Sequence, residues 1–112
     1  MTADEAIPVF SSYSRSEKEE FLAQLMYELT LVARASYEAG GDGLTELQRV
    51  RRINEVQHRI SAFLLALLRD EPQRYPDDVL VRIILEQPDD AVLGRQLSEA
   101  FARLTAQRLT AA

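Results

Sequence analysis

Val50-Arg51-Arg52-Ile53-Asn54-Glu55-Val56-Gln57-His58-Arg59-Ile60-Ser61-Ala62-Phe63-Leu64-Leu65-Ala66-Leu67-Leu68 is the stretch that decides the fold. At about 100° per residue, Val50, Ile53, Val56, Ile60, Phe63, Leu64 and Leu67 share one face with Gln57, which is the period of an amphipathic helix. From Ser61 onward the stretch is apolar on almost every side, as a helix is when other elements cover it from several directions. The reading is a helix over about 45–69, opened by a capping box of Thr45 and Gln48, with its second half at the centre of the fold.

Working toward the N-terminus, Gly40-Gly41-Asp42-Gly43 reads as a helix end and turn. Before it, Phe21, Leu22, Leu25, Met26, Leu29, Val32, Ala33 and Ser36 make a second helical stripe. Its helix is expected over about 16–40, with Ser16 and Glu19 as a capping box. Two long helices joined by a short turn pack antiparallel. Residues 1–15 contain Pro8 and Ser11-Ser12-Tyr13-Ser14, and they are expected to form a flexible or loosely docked arm.

Toward the C-terminus, Pro72 and Pro76 bracket a linker. Asp77 or Asp78 then caps a short helix over about 77–87. Val79-Leu80-Val81-Arg82-Ile83-Ile84-Leu85 is β-branched enough for a strand, but no second segment stands ready to pair with it. Asp89 or Asp90 starts a last helix over about 90–107, where Leu93, Leu97, Ala100, Phe101 and Leu104 form the stripe and Glu99 with Arg103 an i,i+4 pair. The fold class expected is therefore all-α, a compact bundle of about four helices in one domain over 16–112.

Composition narrows the function. The chain has 112 residues, 46% of them hydrophobic, which suffices for one helical core. It has no cysteine, so disulfides, thiolate metal sites and thiol catalysis are excluded. A net charge of −5 argues against nucleic acid as a partner, since neutralising phosphates dominates that affinity. The segment 44–69 carries five basic and two acidic side chains between two acidic flanks, a pattern that suits pairing between neighbouring helices. Met1-Thr2-Ala3-Asp4-Glu5 is acidic where a secretory leader is basic, and the longest apolar run, Ala62 to Leu68, falls far short of the roughly 18 residues of a membrane span. The chain is expected to be cytoplasmic, with no membrane as partner.

No catalytic residues emerge, because no histidine stands with a nucleophile motif and no glycine-rich loop with a phosphate-binding lysine. The expectation is no enzyme, no cofactor and no metal. Asn54, Glu55 and His58 form the one polar cluster of note. Glu55 and His58 have the Glu-x-x-His spacing of di-iron bundles, but a single histidine does not complete such a site. The string His58-Arg59-Ile60-Ser61-Ala62 resembles that of histidine phosphotransfer domains, which are acidic four-helix bundles, at Ile60 and Ala62. It departs from them at Ser61, where a lysine stands in the family. The resemblance implies His58 as the phosphorylated residue of a signalling module.

The remaining anomalies are apolar residues on the wrong face. Tyr27 and Leu31 lie beside Arg34 opposite Leu25 and Leu29, and Val81 and Leu85 lie opposite Val79, Leu80, Ile83 and Ile84. Aromatic, aliphatic and arginine side chains together are interface material. Tyr27, Leu31, Arg34, Val81 and Leu85 are therefore expected to form an interface, and the function expected is a non-enzymatic interaction or regulatory module that forms a homodimer or binds a protein partner.

Overall fold

The computed structural model describes residues 1–38 and 43–111. Among them run five α-helices: α1 (Ala3–Ser11), α2 (Arg15–Glu38), α3 (Gly43–Leu68), α4 (Asp77–Leu85) and α5 (Ala91–Ala111). A 3-10 turn, Pro72–Arg74, links α3 to α4, and no strand occurs among the described residues. The all-α bundle expected from the periodicity is the fold, with one more helix than the four expected. The glycine turn between the two long helices lies largely outside the described residues.

α2 and α3 pack side by side and antiparallel, while α1, α4 and α5 cover one side of the pair. All three predicted stripes turn inward. Phe21, Leu22, Leu25 and Leu29 of α2, Ile53, Val56, Ile60, Phe63 and Leu67 of α3, and Leu93, Leu97, Phe101 and Leu104 of α5 are buried in one core. Aromatic rings knit it together: Phe21 and Phe101 meet at 4.8 Å between centroids, in an edge-on geometry that suits the ring quadrupoles. Gln57, the polar residue on the α3 stripe, donates from Nε2 to the Met26 carbonyl and to Thr30 Oγ1, each at 3.0 Å, so the seam between the long helices is satisfied.

The N-terminal segment corrects the expected arm. Residues 3–11 are helical, and Ala3, Ala6 and Phe10 are buried in the core. Pro8 removes one backbone donor inside this helix, yet the apolar face of Ala3, Ala6, Ile7 and Phe10 is buried or packed against the core, and that burial outweighs the lost bond. The local start signal is present too: the Glu5 amide donates to Thr2 Oγ1 at 3.3 Å, and the Thr2 hydroxyl donates back to the Glu5 carboxylate at 3.0 Å. Such reciprocal bonds between a hydroxyl and an acid three residues on mark a helix N-terminus.

Caps elsewhere shift by small amounts. The box at the start of α2 is formed by Ser14 and Glu17 rather than Ser16 and Glu19: the Ser14 amide donates to Glu17 at 2.9 Å and the Glu17 amide to Ser14 Oγ at 3.2 Å. These bonds, the backbone one first and then the Ser14 hydroxyl and Arg108, hold the Glu17 carboxyl below its ordinary value. α3 ends in a Schellman motif, in which the Glu71 amide donates to the Ala66 carbonyl and the Asp70 amide to the Leu67 carbonyl. Asp70 takes the left-handed position usual for glycine, at φ 62°. Asp77 does not cap α4; it accepts from Lys18 Nζ at 2.8 Å and from Ser11 Oγ at 3.1 Å. Asp90 does cap α5, accepting from the Leu93 amide at 3.0 Å.

Ion pairs join the basic middle of the chain to its acidic flanks, as the charge pattern implied. Arg49 reaches Asp90 at 3.0 Å, and Arg52 approaches Asp89 at 4.0 Å. Arg82 binds Asp4 at 2.8 Å and ties α4 to α1. The expected i,i+4 pair of Glu99 and Arg103 is replaced, because Arg103 reaches across to Glu28 at 2.6 Å.

Candidate functional site

α4 is rotated relative to the face expected from its sequence. Val81 is fully buried and Leu85 nearly so, while Val79 is 50% exposed and Ile83 half-buried. The cause is α1, which packs on α4 from the side left open in a four-helix reading and requires Val81 and Leu85 as core. These two residues are therefore removed from the expected interface.

The rotation turns Val79 and Ile83 toward α3 and opens a groove between the two helices. Its cavity measures about 700 Å³. Because α4 begins beside the C-terminal half of α3 and ends beside its middle, the groove has two chemically different ends. One is apolar, walled by Ala62, Phe63, Tyr75, Pro76 and Val79. Tyr75 is held there against Phe63, with 6.3 Å between ring centroids. The other is polar, with Asn54, Glu55, His58 and Arg59 on successive turns of α3 and Ile83 opposite. The predicted polar cluster of Asn54, Glu55 and His58 thus stands together on an exposed helix face at the mouth of a cavity.

Arg59, Tyr75, Val79 and Ile83 also line this groove and escaped the sequence reading. The spacing of Glu55 to Arg59, and of Val79 to Ile83, was the signal for two facing i,i+4 pairs. Glu55 and Arg59 are well spaced for an intrahelical ion pair, yet neither has an ion-pair or hydrogen-bond partner among the described residues. Among those residues, no three histidine, aspartate or glutamate side chains converge to hold a metal ion.

A second feature lies on the outer side of the α2–α3 pair, bordered by α5, whose Leu104 and Gln107 share a surface groove with Tyr27. Tyr27 is 64% exposed and Leu31 42% exposed, one turn apart on α2. Arg34, on the same side, donates to Glu38 at 3.1 Å. On α3, the helical period places Leu47, Leu65 and Leu68 on the outward stripe, all three exposed, while Asn54 and His58 stand at its border with the groove. The predicted interface residues of α2 thus remain at the surface, and α3 adds leucines beside them.

At the base of α5, Asp90 is largely buried between Arg49 and the helix terminus. Burial pushes its carboxyl up, but the Leu93 amide and the Arg49 guanidinium outweigh this and hold it below its ordinary value. That site is engaged on all sides and fixes α3 to α5. No helix of the described residues is long and apolar enough to cross a membrane. Comparison with known proteins brings no match, whether to a family model, a curated protein or a solved structure.

Proposed function

We propose that the chain is a cytoplasmic, non-enzymatic interaction module that self-associates through the open face of α2 and α3. The observation that carries this reading is the concentration of exposed large apolar side chains on one layer: Tyr27, Leu31, Leu47, Leu65 and Leu68 all belong to these two helices. An apolar surface uncovered on one side of a two-helix layer is stabilised when a second layer covers it.

A second copy is the occupant that the charges favour. The outer side of α3 carries Arg51 and His58 without an acid, whereas that of α2 carries the exposed Glu20 and Glu38, which within the chain pair with Arg108 and Arg34. A two-fold axis that sets each α2 beside the partner's α3 brings unlike charges together. The size fits as well. Helices of this length are roughly 36 Å long and a pair is about 20 Å wide, so each copy offers on the order of 700 Å², close to the share of each partner in a standard interface. The test is the mass in solution of Leu31→Asp and Leu65→Asp. Both are expected to shift a dimer to monomer with helicity unchanged; an unchanged oligomer in both refutes the reading, and a complex with a different protein in place of the dimer refutes the choice of a second copy.

A second reading rests on His58. Its imidazole is exposed midway along α3 and has no hydrogen-bond or ion-pair partner among the described residues, which leaves it accessible to an aspartyl phosphate. A phosphotransfer role predicts that a phosphorylated response regulator labels the protein and that His58→Gln abolishes the label. Absence of label in the parent chain removes this reading.

A further inference from the structure

We infer that the groove between α3 and α4 binds a small-molecule carboxylate with an apolar body. Three observations carry it. The cavity of about 700 Å³ lies in the range of small-ligand sites. It is walled on three sides by α3, by Tyr75 and Pro76 of the connecting segment, and by α4. Its α4 wall, nine residues long, extends about 13 Å, close to the extended length of octanoate or decanoate.

The second observation is the apolar end. Val79 is 50% exposed and Tyr75 38% exposed, although both stand against Phe63 or Ala62 in a concave site rather than on a flat surface. A ligand tail there removes apolar surface from water without any rearrangement of the helices.

The third is Arg59. Of the thirteen basic side chains, only Arg51, Arg59, Arg69 and Arg95 lack an ion pair among the described residues. Arg59 alone of these lines the groove. Its guanidinium is suited to a bidentate carboxylate contact, and Asn54 and His58 supply hydrogen-bonding groups on the same rim. Arg51 on the same helix and Arg69 just past its end add to a positive field. Glu55, the one acid on this rim, opposes an anion and gives the test a variant of opposite sign.

The test is a titration of the whole chain with octanoate, 1-octanol and octylammonium, followed through the backbone amide resonances. Octanoate is expected to give saturable shifts centred on His58, Arg59, Ala62, Val79 and Ile83, and to bind about three- to fivefold more tightly than either of the other two. Arg59→Gln is expected to erase that preference. Glu55→Gln, which leaves the apolar wall intact, is expected to tighten octanoate by about twofold. Equal binding of all three compounds, an undiminished preference in Arg59→Gln, weaker octanoate binding in Glu55→Gln, or shifts confined to the outward face of α2 and α3 would each overturn the inference. Self-association is read separately by mass, so its failure leaves this test unaffected.

Discussion

Replacing Phe10 with alanine tests whether the N-terminal helix belongs to the core. Phe10 is fully buried. Its ring lies 5.9 Å from Phe21 and 6.1 Å from each of Phe63 and Tyr13, measured between centroids. The Lys18 ammonium sits over its face at 5.4 Å. Phe10→Ala removes the ring from a packed site whose walls belong to two other helices and close only in part. The expected loss is about 3–5 kcal/mol, the transfer term together with the cavity left behind. α1 is also pinned at its start, where Ser98 Oγ donates to the Met1 carbonyl at 2.6 Å, and at its end, where Ser11 donates to Asp77. The chain therefore has little freedom to refill the cavity by sliding the helix. Urea denaturation followed by far-UV circular dichroism reads the change, with Ile7→Ala as a half-buried comparison expected to lose about 1–2 kcal/mol. A loss below about 1 kcal/mol for Phe10→Ala, with an unchanged denaturant slope, would refute the reasoning and restore a loosely docked arm.

The orientation of α4 gives a paired prediction: Val81→Asp places a charge in the core and is expected to prevent folding, whereas Val79→Asp at the groove is expected to change stability by no more than about 0.5 kcal/mol. The reverse order in thermal denaturation contradicts the observed rotation. Ser14→Ala removes the cap of α2, with an expected loss of about 1 kcal/mol, and it also raises the Glu17 carboxyl, read by the chemical shift of its side chain. Glu17 and Asp90 both titrate below their ordinary values in the folded chain, so the unfolded chain binds more protons as the pH falls. Their contribution is complete above the ordinary carboxylate range and is lost as the pH drops through the lowered folded values. Urea midpoints for Asp90→Asn are expected to show a shallower acid limb than those of the parent chain, and parallel limbs would contradict this.

The long stripes were legible because each repeats over several turns and meets one continuous core: the buried set from Phe21 to Leu29, from Ile53 to Leu67 and from Leu93 to Leu104 follows the periodicity, except that Met26 and Leu64 are half-buried and Ala66 joins the core. α1 was hidden by its own composition. Pro8 and the serines that follow suggest irregular chain, and only Thr2 with Glu5 announces a helix. Missing that helix led directly to the error on α4. The run from Val79 to Leu85 is apolar on nearly every side, so its rotation is set by what packs against it and not by its own pattern. With α1 absent from the reading, Val81 and Leu85 looked surplus; with α1 in place they are core and Val79 and Ile83 face the groove. The polar half of the candidate site was visible as Asn54, Glu55 and His58, all on one helix. Its apolar half was not, since Tyr75 meets Phe63 and Val79 joins the same groove only through the tertiary arrangement.

Self-association through the open α2–α3 face is tested most directly by sedimentation equilibrium of the parent chain, Leu31→Asp and Leu65→Asp over a range of concentrations. The parent is expected at twice the 12.7 kDa chain mass and both variants at the mass of one chain with unchanged helicity. A parent chain that stays at the single mass up to about 100 µM, a concentration at which micromolar association is nearly complete, or a dimer that survives both substitutions, would contradict it.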